Sequence, residues 1–117
     1  MILFPETLGE RIDAEAVVLS LRIPEDLAYL AGHFPEVPVV PGVAQIHWAV
    51  HFARQRFAMP GSFSHMEAVK FRELLLPGQR LELILRHQGQ SGKLEFLYRS
   101  ETAEYSSGRV YFHGEPI

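Results

Sequence analysis

The sequence has no cysteine anywhere in its 117 residues, which excludes a disulfide framework and any thiolate nucleophile or thiolate metal ligand. Positive charge is also scarce. Eleven Lys and Arg stand against fourteen Asp and Glu, for a net charge of -3 and a pI near 6.0. Phosphate neutralisation needs clustered cations, so nucleic acid is excluded as a partner. A long hydrophobic run is missing too. The most apolar stretch, 38–52, is interrupted by Gln45, His47 and His51 and falls short of the roughly 20 residues that span a bilayer. No membrane helix is expected. The opening "MILFPETLGE" has no basic leader, and a cytoplasmic location is the expectation. What remains is ordinary globular material, 47% apolar and 21% charged, at a length that suits a single domain over residues 1–117.

Strand-like patterning dominates the chain. "AEAVVLSLRI" (14–23) alternates as a half-buried strand. "PEDLAYLAG" follows and suggests a short helical turn between Pro24 and Gly32. Downstream lie four further segments at 62–74, 80–87, 93–105 and 108–114, separated by the turn signals "LPGQ", "GQSGK" and "YSSG". These spacings predict an antiparallel meander with one buried face.

Between the first strand and the meander lies a different kind of sequence. Pro35, Pro38 and Pro41 fix their own φ and push Phe34, Val37 and Val40 toward extended conformations, so the loop "AGHFPEVPVVPG" loses little entropy on becoming rigid. From Gly42, "VAQIHWAVHFARQRF" has no glycine or proline and predicts a helix from about 42 to 58, stopped by Pro60 and Gly61. Apolar residues run nearly all the way round it, so most of its sides should be covered. One such helix beside an antiparallel sheet of five or six strands defines an α+β design, and a chain this short should leave apolar surface for a partner subunit.

Two blocks, "GHFPEVPVVPGVAQIHWA" (32–49) and "AVKFRELLLPGQRLEL" (68–83), resemble the signature of the hot-dog-fold 3-hydroxyacyl-acyl carrier protein dehydratases. The resemblance covers roughly residues 14 to 114. It implies a hot-dog fold, with a long central helix wrapped by the sheet, and a lyase that removes water from a carrier-bound 3-hydroxyacyl thioester in fatty-acid or polyene-type synthesis. Carried over by position, His33 falls on the catalytic histidine, and Gly42 on the glycine whose N–H donates to the thioester oxygen. The helix acid falls on His47, fourteen residues after His33, and there the pattern breaks. Glu36 is a smaller departure, standing where the family usually has glycine. The family places its acid across a subunit interface, so the resemblance also implies a homodimer or higher even oligomer. Phe34, Pro41, Val43 and Phe71 are assigned to the acyl chain. Arg54, Arg56, Lys70 and Arg72 are assigned to docking of acyl carrier protein, whose phosphopantetheine arm presents the substrate. No cofactor is implied.

Imidazole titrates near neutrality, so His33 on a braced loop suits an α-proton base. Gly42 at a helix start offers free N–H groups and the positive dipole end to a developing oxyanion. His47 either donates a proton to the departing hydroxide, as the imidazolium or as a neutral donor with His33 as the shuttle, or is packing only. In the latter case thioester hydrolysis or non-catalytic acyl binding are the alternatives. His47 and His51 have metal-ligand spacing and His65 offers a third nitrogen, but Trp48 replaces the glutamate of an H-E-x-x-H helix and no Cys or nearby Asp completes a set. No metal is assigned. Trp48, Phe52, Phe57 and Phe71 read first as core, with some of them lining an acyl tunnel. His65, His87 and His113 receive no role.

Overall fold

The computed structural model describes residues 2–27 and 39–116. Its elements are β1 (Glu6–Asp13), β2 (Ala16–Arg22), α1 (Gly42–Arg54), β3 (Pro60–Phe71), β4 (Arg80–Gln88), β5 (Lys93–Arg99) and β6 (Glu104–Pro116). The strands form one six-stranded sheet in the order β1-β2-β4-β5-β6-β3, antiparallel at every pairing. One face of this sheet packs on α1.

The centre of the sheet follows the sequence pattern. Leu81, Leu83 and Leu85 on β4, and Leu94, Phe96 and Tyr98 on β5, point inward against Leu19 and Leu21 of β2, all at most 5% exposed. Trp48, Ala49, Phe52 and Ala53 meet them from the helix. Burial of each large apolar side chain contributes about 1.5–3 kcal/mol. The β5–β6 pairing also needs close backbone approach at Gly92, whose φ is +64 and where a Cβ would collide with the Phe112 carbonyl.

Several expectations are corrected. A strand precedes the expected first one: β1 pairs with β2 through a two-residue turn, Ala14 and Glu15, both at positive φ. The expected meander holds for β4, β5 and β6, but β3 leaves it, pairing with β6 at the far edge instead of β4. "YSSG" lies inside β6, and the chain reverses at residues 100–103, where Ser100 N–H donates to Ala103 O at 2.8 Å. The helix ends at Arg54 with Gln55 as C-cap, short of 58. Pro60 and Gly61 open β3. Of the short helical turn expected over 24–32, the described part is a turn ending in a bridge between Leu27 and Ile2.

Nor is the helix covered all round. Its buried stripe is Ala44, Gln45, Trp48, Ala49, Phe52 and Ala53, because a helix lying on one sheet hides only the side that faces it. Val43, on the opposite side, is 73% exposed. No described helix is long and apolar enough to cross a membrane.

Candidate active site

The helix N-terminus is built without a side-chain cap. Pro41, the N-cap residue, sits at φ -59 and ψ 146, and its carbonyl accepts the first helical bonds, from Ala44 N at 3.1 Å and Gln45 N at 3.3 Å. The N–H groups of Gly42 and Val43 therefore precede the intrahelical ladder and face outward at the positive end of the dipole. No acidic residue occupies the first turn to compete for them.

Phe71, the last residue of β3, lies over this point. A Cβ on Gly42 would come within 2.6 to 3.1 Å of three atoms of the Phe71 ring, so glycine is required for the ring to close down. Phe71 is still 53% exposed. The approach of β3 depends on a bulge: its register with β6 slips between Glu67 and Lys70, and Ala68 inside the slip has φ +53. Such bulges re-aim the side chains that follow them.

One turn beyond Val43, on the same side of α1, His47 is exposed. The N-terminal segment crosses here. Trp48 Nε1 donates to the Leu3 carbonyl at 2.9 Å, and the Phe4 ring stacks on His51 at 4.2 Å and lies 5.9 Å from His47. His47 and His51 are 6.5 Å apart, centroid to centroid. Partial burial, then the nearby charges of His47 and Arg56, push the His51 imidazole below its ordinary pKa. His65 sits on β3, stacked on Tyr111 at 4.5 Å.

Pro41, Gly42 and Val43 thus stand at the N-terminal end of α1 with Phe71 over Gly42, and His47 is exposed one turn beyond Val43. His33 and Phe34, with Glu36, lie outside the described residues. The four cations assigned to docking divide into two pairs. Arg54 donates to the Pro60 and Gly61 carbonyls at 3.3 and 3.2 Å and lies over Phe112, clipping the helix end to β3. Arg56 grips Glu10 at 2.7 and 3.1 Å. Lys70 and Arg72 remain on the surface, lining a groove of about 620 Å³ with Arg86, Arg99 and Arg109 on the sheet face turned away from α1. Phe4, which composition and periodicity left unmarked, is an unexpected neighbour of the site. An aromatic residue just ahead of the first strand is its only trace in the sequence.

One helix among the described residues, packed on a six-stranded antiparallel sheet, is the hot-dog arrangement. The chain belongs to the ApeI-like dehydratase family, whose model matches residues 9–109. A chain in the solved dehydratase heterocomplex ApeI:P of Xenorhabdus doucetiae is 33% identical, with a TM-score of 0.85 over 93% of this chain and 97% of its own. An uncharacterised protein from Erwinia carotovora subsp. atroseptica is 31% identical, with a TM-score of 0.81 over 98% of both chains. Among curated proteins, the 3-hydroxyacyl-[acyl-carrier-protein] dehydratase FabZ of Oleidesulfovibrio alaskensis is 32% identical over 79% of this chain. The chain spans 70% of that relative's length and 59% of the next one's.

Proposed function

We propose that the protein is a dehydratase of 3-hydroxyacyl thioesters carried by acyl carrier protein, giving the trans-2-enoyl thioester and water in fatty-acid or polyene-type chain synthesis. The observation that carries the reading is the helix start at Gly42, whose N–H has no partner among the described residues and which has the Phe71 ring at its shoulder. In the proposed cycle His33 takes the C2 proton while the thioester oxygen, gaining negative charge, is held by the Gly42 N–H. As the C2–C3 double bond forms, the C3–O bond breaks and hydroxide leaves with a proton from an imidazole, making water. That proton comes from the imidazole of His47, which by the resemblance reaches the site from the partner subunit's helix. The elimination is redox-neutral and needs no cofactor beyond the phosphopantetheine arm that delivers the substrate. Phe34, Pro41, Val43 and Phe71 line the acyl chain, and Lys70, with Arg72 once it leaves its 3.8 Å pairing to Glu104, docks an acidic carrier surface.

We place this chemistry in one cytoplasmic domain that acts as a homodimer. Two features support assembly: β3 presents an edge with no neighbour among the described residues, and Phe63 on β3 and Val43 on α1 are 55% and 73% exposed. Exposed edges with apolar side chains invite a second strand. The ApeI:P neighbour is a heterocomplex, which favours a non-identical partner as a second reading. Native mass of the purified chain decides between them.

Mass spectrometry of a carrier-bound 3-hydroxyacyl substrate tests the activity. Loss of one water from the loaded carrier, abolished by His33→Ala, is expected. Release of free acid would make the protein a thioesterase, and an unchanged carrier that nevertheless co-elutes with the protein would make it a binder.

A further inference from the structure

Gln45 and Ser106 are the two buried polar residues among those described, 3% and 1% exposed, and they touch. Ser106 Oγ donates to Gln45 Oε1 at 2.6 Å. The other end of the same amide, Nε2, donates to the Val40 carbonyl at 3.3 Å, while Tyr98 Oη donates to the Gln45 backbone carbonyl at 2.7 Å. Tyr98 is wholly buried, which pushes its pKa well up and keeps it a donor. Val40 is held from the opposite side as well, its N–H donating to Leu75 O at 2.8 Å. Both polar groups of the Val40 backbone are therefore fixed to the body of the protein, two residues before Gly42, and the intervening Pro41 has no freedom in φ.

A hydrocarbon would fill the Gln45 position more cheaply, since the rest of the stripe is Ala, Trp and Phe. An amide is needed there only to supply a donor to Val40 and an acceptor to Ser106 together. We propose that Gln45, braced by Ser106, is a positioning residue that sets where the Gly42 N–H points, by holding the Val40 carbonyl. This rests on the reading of Gly42 as the site of the thioester oxygen. Neither residue touches the substrate.

Three variants test it alongside the wild type. Gln45→Leu keeps the volume and removes both bonds; its kcat should fall about 10- to 100-fold with KM within about threefold, because the loss is in transition-state geometry. Gln45→Glu offers no proton to Val40 when ionised but restores the full pattern when protonated. Its kcat relative to wild type should therefore rise as pH falls, which a purely structural role would not produce. Ser106→Ala should give a smaller fall of roughly threefold, since the Val40 bond survives. Amide hydrogen exchange at Val40 should quicken in Gln45→Leu while β4 amides keep their rates. A folded Gln45→Leu with kcat within twofold of wild type, or a Gln45→Glu ratio flat in pH, overturns the proposal. Should Gln45→Leu not fold, the Gln45→Glu ratio and Ser106→Ala decide by the same rule. A wild type without dehydration would count against the role of Gly42; unchanged Val40 exchange would count against Gln45 itself.

Discussion

β5 and β3 belong to one sheet and share one neighbour, β6, yet they differ in almost every physical respect. β5 alternates buried and half-buried residues along its length and pairs on both sides without a break until Arg99. β3 has no buried residue over twelve positions, slips register three times against β6 and holds an alanine at positive φ. The first is a strand whose job is finished once the chain folds. The second spends stability on exposed apolar side chains, bulges and backbone strain, and it delivers Phe71 to the helix start. Cost without a folding return makes β3 the candidate for function and β5 the scaffold.

Breaking the well-packed half should cost most. Trp48→Ala removes a fully buried ring and the bond to the N-terminal segment, and denaturant unfolding should show a loss of about 3–5 kcal/mol. Phe63→Ala on β3 should change the stability of the single chain by less than about 1 kcal/mol while shifting light scattering toward the smaller species.

Next in size is Gly42→Ala. Its Cβ would displace the Phe71 ring, which is half-exposed and free to swing, so the melting temperature should hardly move. Activity should fall roughly 10²-fold because the thioester loses its place.

A pH titration of stability sharpens the contrast further. Burial lowers the imidazole pKa of both His51 and His87, so the unfolded chain binds protons more readily than the folded one below about pH 6.5. Their contribution is present above that pH and is lost as pH falls through the lowered folded values. Melting temperature should decline on acidification, and less steeply in His51→Gln and His87→Gln.

Smallest is the β1–β2 turn. Replacing Ala14 and Glu15 by Asn and Gly suits a turn with positive φ at both positions and should raise stability by about 1 kcal/mol.

That turn also shows why part of the fold was illegible. β4 and β5 could be read directly, since Leu81, Leu83 and Leu85 and Leu94, Phe96 and Tyr98 alternate cleanly. β1 could not: "ETLGERID" is exposed at all eight positions, and Ala-Glu carries none of the Asn-Gly chemistry that announces a hairpin. "YSSG" misled for the opposite reason. Its small polar residues lie in a strand, where Ser106 is needed to bond Gln45 and a Cβ at Gly108 would come within 2.9 Å of the Phe96 ring. Gly42, Phe71 and His47, the described residues of the proposed site, were drawn from two motif blocks and not from any periodic pattern. Phe4 and Gln45 went unread for other reasons: Phe4 lies ahead of the first strand, and Gln45, though inside the first block, is a polar residue on an apolar stripe.

The central claim is that an imidazole at position 47 stands where the family's pattern has a carboxylic acid and still serves the departing hydroxide. Its most direct test is the dehydration rate of His47→Ala and His47→Glu on a carrier-bound 3-hydroxyacyl substrate, with melting temperatures measured beside it. His47→Ala should lose about 10²–10⁴-fold at an unaltered melting temperature, and His47→Glu should keep or exceed the wild-type rate. A fully active His47→Ala would contradict it.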